Sequence, residues 1–206
     1  MGKLAVQRIL ISWVTAWLCW SPASSALPPP APPPRAALAV LEEVKRTRDQ
    51  SEQAFQRGHV AEALPLAQRA LAKADATLPP RHPELIACLV HLCQVTMAKG
   101  NLKDLEPLLR RTLALQEETL GAKHPDVAES LSGLGALFWK RGDIKQAKPF
   151  LLRSLAIREE TLGPKHPDVG QDLNNLGALY QMEGELSQAV SLFQRAIAIQ
   201  EASLGT

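Results

Sequence analysis

A segment of 42 residues recurs along this chain, and the copies share an entry motif. LGAKHPDVAESL starts at Leu120, LGPKHPDVGQDL starts at Leu162, and a weaker copy, LPPRHPELIACL, starts at Leu78. Self-similarity at a fixed period of about 20–50 residues indicates a repeat architecture, in which stacked units share one continuous core. We therefore expect a solenoid of similar units rather than a domain built around a single reactive centre.

Each unit is predicted to consist of a helix, a tight turn and a second helix. From about Ala36 onwards, apolar residues recur at spacings of three and four, and no stretch alternates as a strand would. The His-Pro-acid triplet is predicted to start a helix rather than to form a catalytic pair, because proline suits the first helical position and an acid in the first turn favours the helix dipole. The prolines at these predicted starts are Pro83, Pro125 and Pro167. Glycines expected to end the first helix of each unit are Gly58, Gly100, Gly142 and Gly184.

The two best copies, 120–161 and 162–203, share residues suited to packing two helices together. Small residues would allow a close approach, and an aromatic residue would fill the wider space between the helices. These predicted packing residues are Gly135, Gly177, Ala147, Ala189, Phe138 and Tyr180. The motifs LGxKHPDV, LxxLGAL followed by Phe or Tyr, and RSLAI or RAIAI resemble the tetratricopeptide repeat, in the 42-residue form of kinesin light chains and many bacterial proteins.

This resemblance implies an all-α fold, a right-handed superhelical solenoid of antiparallel helix pairs. We expect the array to cover 36–206, with repeats at about 36–77, 78–119, 120–161 and 162–203. The copy at 78–119 is degenerate, and the copy at 36–77 lacks the entry motif. Leu204 and Gly205 restate the start of the motif, so the last apolar face is predicted either to be covered by a continuing chain or another subunit, or to favour self-association.

The first 26 residues have the three-part pattern of a secretory signal peptide. Lys3 and Arg8 precede an apolar run at 9–20, and small residues, including Ser24 and Ala26, suit cleavage after Ala26. The run is short for a membrane span, which needs about 20 residues. We expect an exported protein of bacterial type, periplasmic or secreted, without a membrane span after cleavage. The alternative is an uncleaved membrane anchor. Residues 27–35, with six prolines, are predicted to be a stiff linker.

The charge balance argues against a nucleic-acid partner. The formal net charge of +2 comes from Lys3 and Arg8, because the acidic and basic residues beyond position 26 are equal in number. Stacked helix pairs instead create a concave groove, lined by the first helices, that accepts a protein segment or a helix. Trp139 is the first choice for a partner contact, since exposed aromatic residues are typical hot spots, although it would also suit packing between units. The other predicted groove residues are Lys140, Asn174, Gln181, Met182, Gln94 and Met97.

No residue pattern in the chain favours catalysis, a metal or a cofactor. Cys88 and Cys93 lie five residues apart on one predicted helix and point about 140° from each other, so they cannot share an ion with His91. We expect Cys93 to be buried and Cys88 to be the more reactive thiol.

The favoured function is therefore a non-catalytic interaction scaffold. One alternative is the N-terminal sensing or recruiting arm of a larger enzyme, of protease or kinase type, that continues beyond Thr206. A second alternative is a cargo adaptor like kinesin light chain, which the signal peptide and the lack of a long heptad region make less consistent with the sequence.

Overall fold

The computed structural model describes residues 35–204, so the predicted signal peptide and nearly all of the predicted linker lie outside the described residues. The described part of the chain contains eight α-helices and no strand. The helices are α1 (Arg35–Gln56), α2 (Val60–Thr77), α3 (Pro83–Lys99), α4 (Leu102–Leu120), α5 (Pro125–Lys140), α6 (Ile144–Leu162), α7 (Pro167–Met182) and α8 (Leu186–Leu204). Between Arg35 and Leu204, none of them combines the length and the apolar character that crossing a membrane requires.

The helices pair in chain order into four units: α1 with α2, α3 with α4, α5 with α6, and α7 with α8. Within the last three units the two helices pack against each other, and the second helix of each of the first three units packs against the first helix of the next. The buried core continues from unit to unit, because leucines of α4, α5, α6 and α7 belong to one cluster. The all-α solenoid expected from the period is thus the observed fold.

The His-Pro-acid triplet begins a helix in three of the units. Pro83, Pro125 and Pro167 are the first residues of α3, α5 and α7. The preceding histidine caps the helix, since its Nδ1 accepts a hydrogen bond from the backbone N–H of the acidic residue, at 3.1–3.2 Å in each case. These side chains satisfy a backbone donor that a helix start would otherwise leave without a partner.

Two glycines lie where the helices of a unit approach most closely. A Cβ atom added at Gly135 would lie 2.5 Å from Cδ2 of Leu151, and one added at Gly177 would lie 2.7 Å from Cε1 of Phe193. Such distances are far below ordinary van der Waals contact, so each position needs a residue without a side chain.

Alanine and aromatic residues complete this packing. Ala147 and Ala189 are buried at the start of the second helices. Phe138 is buried and stacks on Phe150, with ring centroids 5.7 Å apart, whereas Tyr180 is half-buried and lies under the ammonium group of a lysine on α6. The aromatic position therefore contributes to the contact between neighbouring helices in both units.

Candidate functional site

A cleft of about 680 Å³ runs along α3, α5 and α7, the first helices of the last three units. These helices place their polar residues on the cleft because their apolar residues are turned towards the shared core. The side chains that offer polar or amphipathic groups to the cleft include Gln94, Met97, Glu129, Trp139, Lys140, Gln171 and Asn175. In this text, the cleft means this surface.

The cleft brings together four of the residues predicted to contact a partner, namely Gln94, Met97, Trp139 and Lys140. Three others lie outside its lining. Asn174 is half-buried, and its neighbour Asn175 lines the cleft in its place. Gln181 and Met182 are exposed at the end of α7.

Trp139 joins two units while keeping part of its ring in solvent. Its Nε1–H lies 3.1 Å from the sulfur of Met182 on the following unit, and 39% of the residue is exposed. It also lines a smaller cavity with Asn175 and Ala178 of α7. An amphipathic ring held at one edge and open at the other offers contact area at a low entropic cost, which is typical of interface hot spots.

The charges of the cleft are separated along α5. Asp126 and Glu129 belong to its first turns, whereas Lys140 is its last residue, about 20 Å away at the rise of an α-helix. Desolvation by the cleft walls raises the pKa of the Glu129 carboxyl, and the charges of Asp126 and Asp168 raise it further. The acidic end of the cleft therefore favours a cation or a hydrogen-bond donor, and the opposite end favours an anion.

A buried polar cluster behind the cleft was not predicted from the sequence. Asp172 is fully buried and accepts hydrogen bonds from Ser132 at 3.0 Å, from Ser154 at 2.6 Å and from Arg158 at 2.9 Å. Burial raises the pKa of the Asp172 carboxyl, and these three donors oppose that change. The cluster joins α5, α6 and α7, so it fixes the two helices that form the acidic end of the cleft. The sequence carries no signal for it, because a lone Asp in a helix usually indicates a solvated position.

The expectation that Cys88 is the reactive cysteine is wrong. Cys88 and Cys93 are both buried, because helices on two sides cover α3. Desolvation raises the pKa of Cys88 to about 12 and that of Cys93 to about 11, so both stay protonated thiols. His91 is also buried, with Nε2 at 2.8 Å from Oγ of Ser51. In the part of the chain that the structure describes, no three His, Cys, Asp or Glu side chains are grouped to hold a metal ion.

Solved structures with the same arrangement of helices include three informative neighbours. A protein from Podosopora anserina, described as a kinesin light chain with nearly identical TPR-like repeats, is 27% identical, with a TM-score of 0.67 over 79% of this chain and 77% of that one. BtubC (BKLC) from P. vanneervenii is 21% identical, with a TM-score of 0.72 over 79% of this chain and 65% of that one. MamA is 16% identical, with a TM-score of 0.60 over 84% of this chain and 89% of that one.

At the sequence level, no significant relative is found among curated proteins. The model of the tetratricopeptide repeat, in contrast, matches residues 85–160 and 141–202, which together make up more than half of the chain. The matched segments contain the capped helix starts, the close helix crossings and the whole of the cleft surface from Gln94 to Asn175. The chain therefore belongs to the tetratricopeptide repeat family.

Proposed function

We propose that this protein is a non-catalytic scaffold that binds a peptide or a helix of a protein partner in the cleft. Membership of the family implies a role in protein–protein interaction. The observation that carries the proposal is the exposed part of the Trp139 ring, which is held in place by Met182 inside a cleft of suitable size. A preorganised aromatic side chain loses little freedom on binding, so it contributes efficiently to affinity.

The charges of the cleft indicate the kind of segment that fits. Lys140 favours an acidic side chain or a terminal carboxylate at one end. Asp126 and Glu129 favour a basic side chain at the other end, because a cation there stabilises the ionised form of Glu129. Between them, Trp139 and Met97 offer apolar and polarizable contacts. The expected partner segment therefore has an acidic end, an apolar centre and a basic end.

Selection from a random peptide library tests this proposal directly. Peptides selected on the full chain are measured against the Trp139→Ala variant, which is expected to bind at least about tenfold more weakly, since truncation of a hot-spot residue removes more than 1.4 kcal/mol. The melting temperature should stay nearly unchanged, because a large part of this side chain is exposed. Leu152→Ala serves as the matched control, since Leu152 is similarly exposed but lies on α6, outside the cleft lining.

Two results would overturn the proposal. Selected peptides that bind the Trp139→Ala variant as tightly as the unmodified chain would show that binding occurs elsewhere. A loss of helical content in the same variant would show that Trp139 acts in packing, and then Lys140→Glu, which reverses a charge at the end of α5, supplies the decisive measurement. That variant should discriminate against segments with an acidic end.

We also propose that the chain is exported, on the basis of the signal-peptide pattern at 1–26. Determination of the N-terminal residue of the protein from its native source should give Leu27. A chain that retains Met1 in a soluble intracellular fraction would contradict export.

A further inference from the structure

One face of the last helix exposes a continuous row of apolar side chains. Leu186, Val190 and Ile197 are 62%, 53% and 51% exposed, and Phe193 between them is half-buried. We call these four residues the α8 stripe. Their spacings of four, three and four residues place them on one side of a helix. Several large, contiguous and exposed apolar side chains of this kind mark an interaction surface.

The same positions are covered in the preceding unit. One period earlier, the residues are Ile144, Lys148, Leu151 and Leu155 of α6. Leu151 is only 1% exposed because α7 packs over it, and the Lys148 ammonium binds the Glu183 carboxylate of α7 at 2.7 Å. This face of a second helix is thus the face that receives another helix. In α8, the charged residue of this face is replaced by Val190, so the α8 stripe contains no charge.

The opposite end of the array has a polar outer face. Arg46, Asp49, Gln53 and Arg57 are exposed and follow one side of α1. Two periods later, the equivalent positions are Ser130, Gly133, Leu137 and Arg141, which face α4. The first unit therefore presents charged and amide groups where the third unit packs against its neighbour. A head-to-tail stack of two copies would bury these groups against the α8 stripe, at the desolvation cost of unpaired charges.

We propose that the α8 stripe binds the α8 stripe of a second copy of this chain, with the two helices antiparallel about a two-fold axis. A two-fold contact requires a surface that complements itself. The α8 stripe meets this condition because its spacing reads the same in both directions around Phe193 and Val190. With the axis near Phe193, Val190 of one copy faces Ile197 of the other copy. Spacings of four and three are also those that allow two helices to interlock along a seam.

Sedimentation equilibrium of the full chain tests the dimer. The unmodified chain should be a dimer, and Val190→Lys or Ile197→Glu should weaken it by at least about tenfold, because each introduces charges into an apolar contact. Leu152→Lys is the matched control, since Leu152 is exposed on α6 but lies outside the α8 stripe. This control should leave the dimer intact.

Mixing the two variants tests the antiparallel register. An equimolar mixture of Val190→Lys and Ile197→Glu chains should recover a heterodimer, because the new lysine of one chain then faces the new glutamate of the other. The proposal is overturned if the unmodified chain is monomeric at its highest soluble concentration, or if its dimer resists both substitutions. It is also overturned if the mixture remains monomeric, because the two side chains then do not meet. The peptide-binding experiments on Trp139 are independent of these outcomes.

Discussion

The guanidinium of Arg158 and the carboxylate of Asp172 form a buried ion pair, 2.9 Å long, between the third and fourth units. The equivalent positions between the second and third units hold Gln116 and Ser130, whose hydroxyl donates a hydrogen bond to the amide oxygen at 2.6 Å. Between the first and second units the period places Ala74 and Cys88 there, and both are buried in an apolar cluster. Each junction thus has its own matched pair.

Replacement of one member of the ion pair should be far more damaging than replacement of both. Asp172→Ser leaves Arg158 buried without its anion, which is expected to lower the free energy of unfolding by about 3–5 kcal/mol. Adding Arg158→Gln recreates the pair found at Gln116 and Ser130, so the double variant should recover most of the loss. Urea unfolding of the two variants measures this difference. A double variant as unstable as the single one would contradict the role of pair matching.

Gly135→Ala should destabilise the third unit. The new Cβ would lie 2.5 Å from two atoms of Leu151, which is buried and has no free space to move into. Overpacking of this kind costs about 1–3 kcal/mol. Gly133→Ala is the control on the same helix, because its new Cβ would lie 3.1 Å from the nearest atom, on Leu109, and alanine gains about 1 kcal/mol in helix propensity. Thermal unfolding should show a clear loss for Gly135→Ala and a much smaller change for Gly133→Ala.

Stability should fall as the solution becomes mildly acidic, partly through His91. Burial lowers the pKa of His91, and the nearby Arg48 lowers it too, although Glu52 and Asp49 act in the opposite direction. The unfolded chain, with an ordinary histidine pKa of about 6.5, then takes up a proton before the folded chain does. The free energy of unfolding is therefore retained above this value and decreases as the pH falls towards the lower pKa of the folded state.

The His91→Gln variant isolates this contribution. Subtraction of its unfolding free energy from that of the unmodified chain should leave a term that decreases below about pH 6.5. His82, whose pKa is also lowered by burial, stays in both chains and cancels in the subtraction. Curves that remain parallel through the acidic range would show that His91 does not titrate in this way.

Neither Cys88 nor Cys93 should react with a thiol reagent in the folded chain. Both are buried, and their pKa values of about 12 and about 11 leave almost no thiolate at mildly alkaline pH. A Cys19→Ser background removes the third cysteine of the chain. We expect no labelling before denaturant is added and two labelled thiols afterwards. Rapid labelling of Cys88 under native conditions would mean that α3 opens locally.

The features that repeat in the sequence were predictable, because each of them reports a local requirement. The His-Pro-acid triplet carries its helix start within three adjacent residues, as seen at His124 and Asp126. Gly135 and Gly177 recur at one phase, and the structure places both at close crossings with the second helix of their unit. In such cases, the period alone separates structural residues from incidental ones.

The features that differ between units were not predictable, because they depend on contacts between neighbours. Asp172 has the sequence environment of a surface residue, and only the placement of Ser154 and Arg158 around it explains its burial. Cys88 was misjudged for the same reason, since α3 is covered from two sides. In the cleft, counting helical faces selected Asn174, whereas Asn175 lines it. Neighbouring positions on a helix differ by about 100°, so a small error in the central direction of a face changes which residue is chosen.

The matched pairs at the junctions also affect how faithfully the chain folds. Units that are identical at nearly half of their positions are prone to dock in the wrong order during folding. If α4 met α7, Gln116 would face Asp172, and the buried carboxylate would lack its cation. If α6 met a unit with serine at this position, Arg158 would lack its anion. Each exchange strands a buried charge, so the junctions act as addresses that keep nearly interchangeable units in sequence.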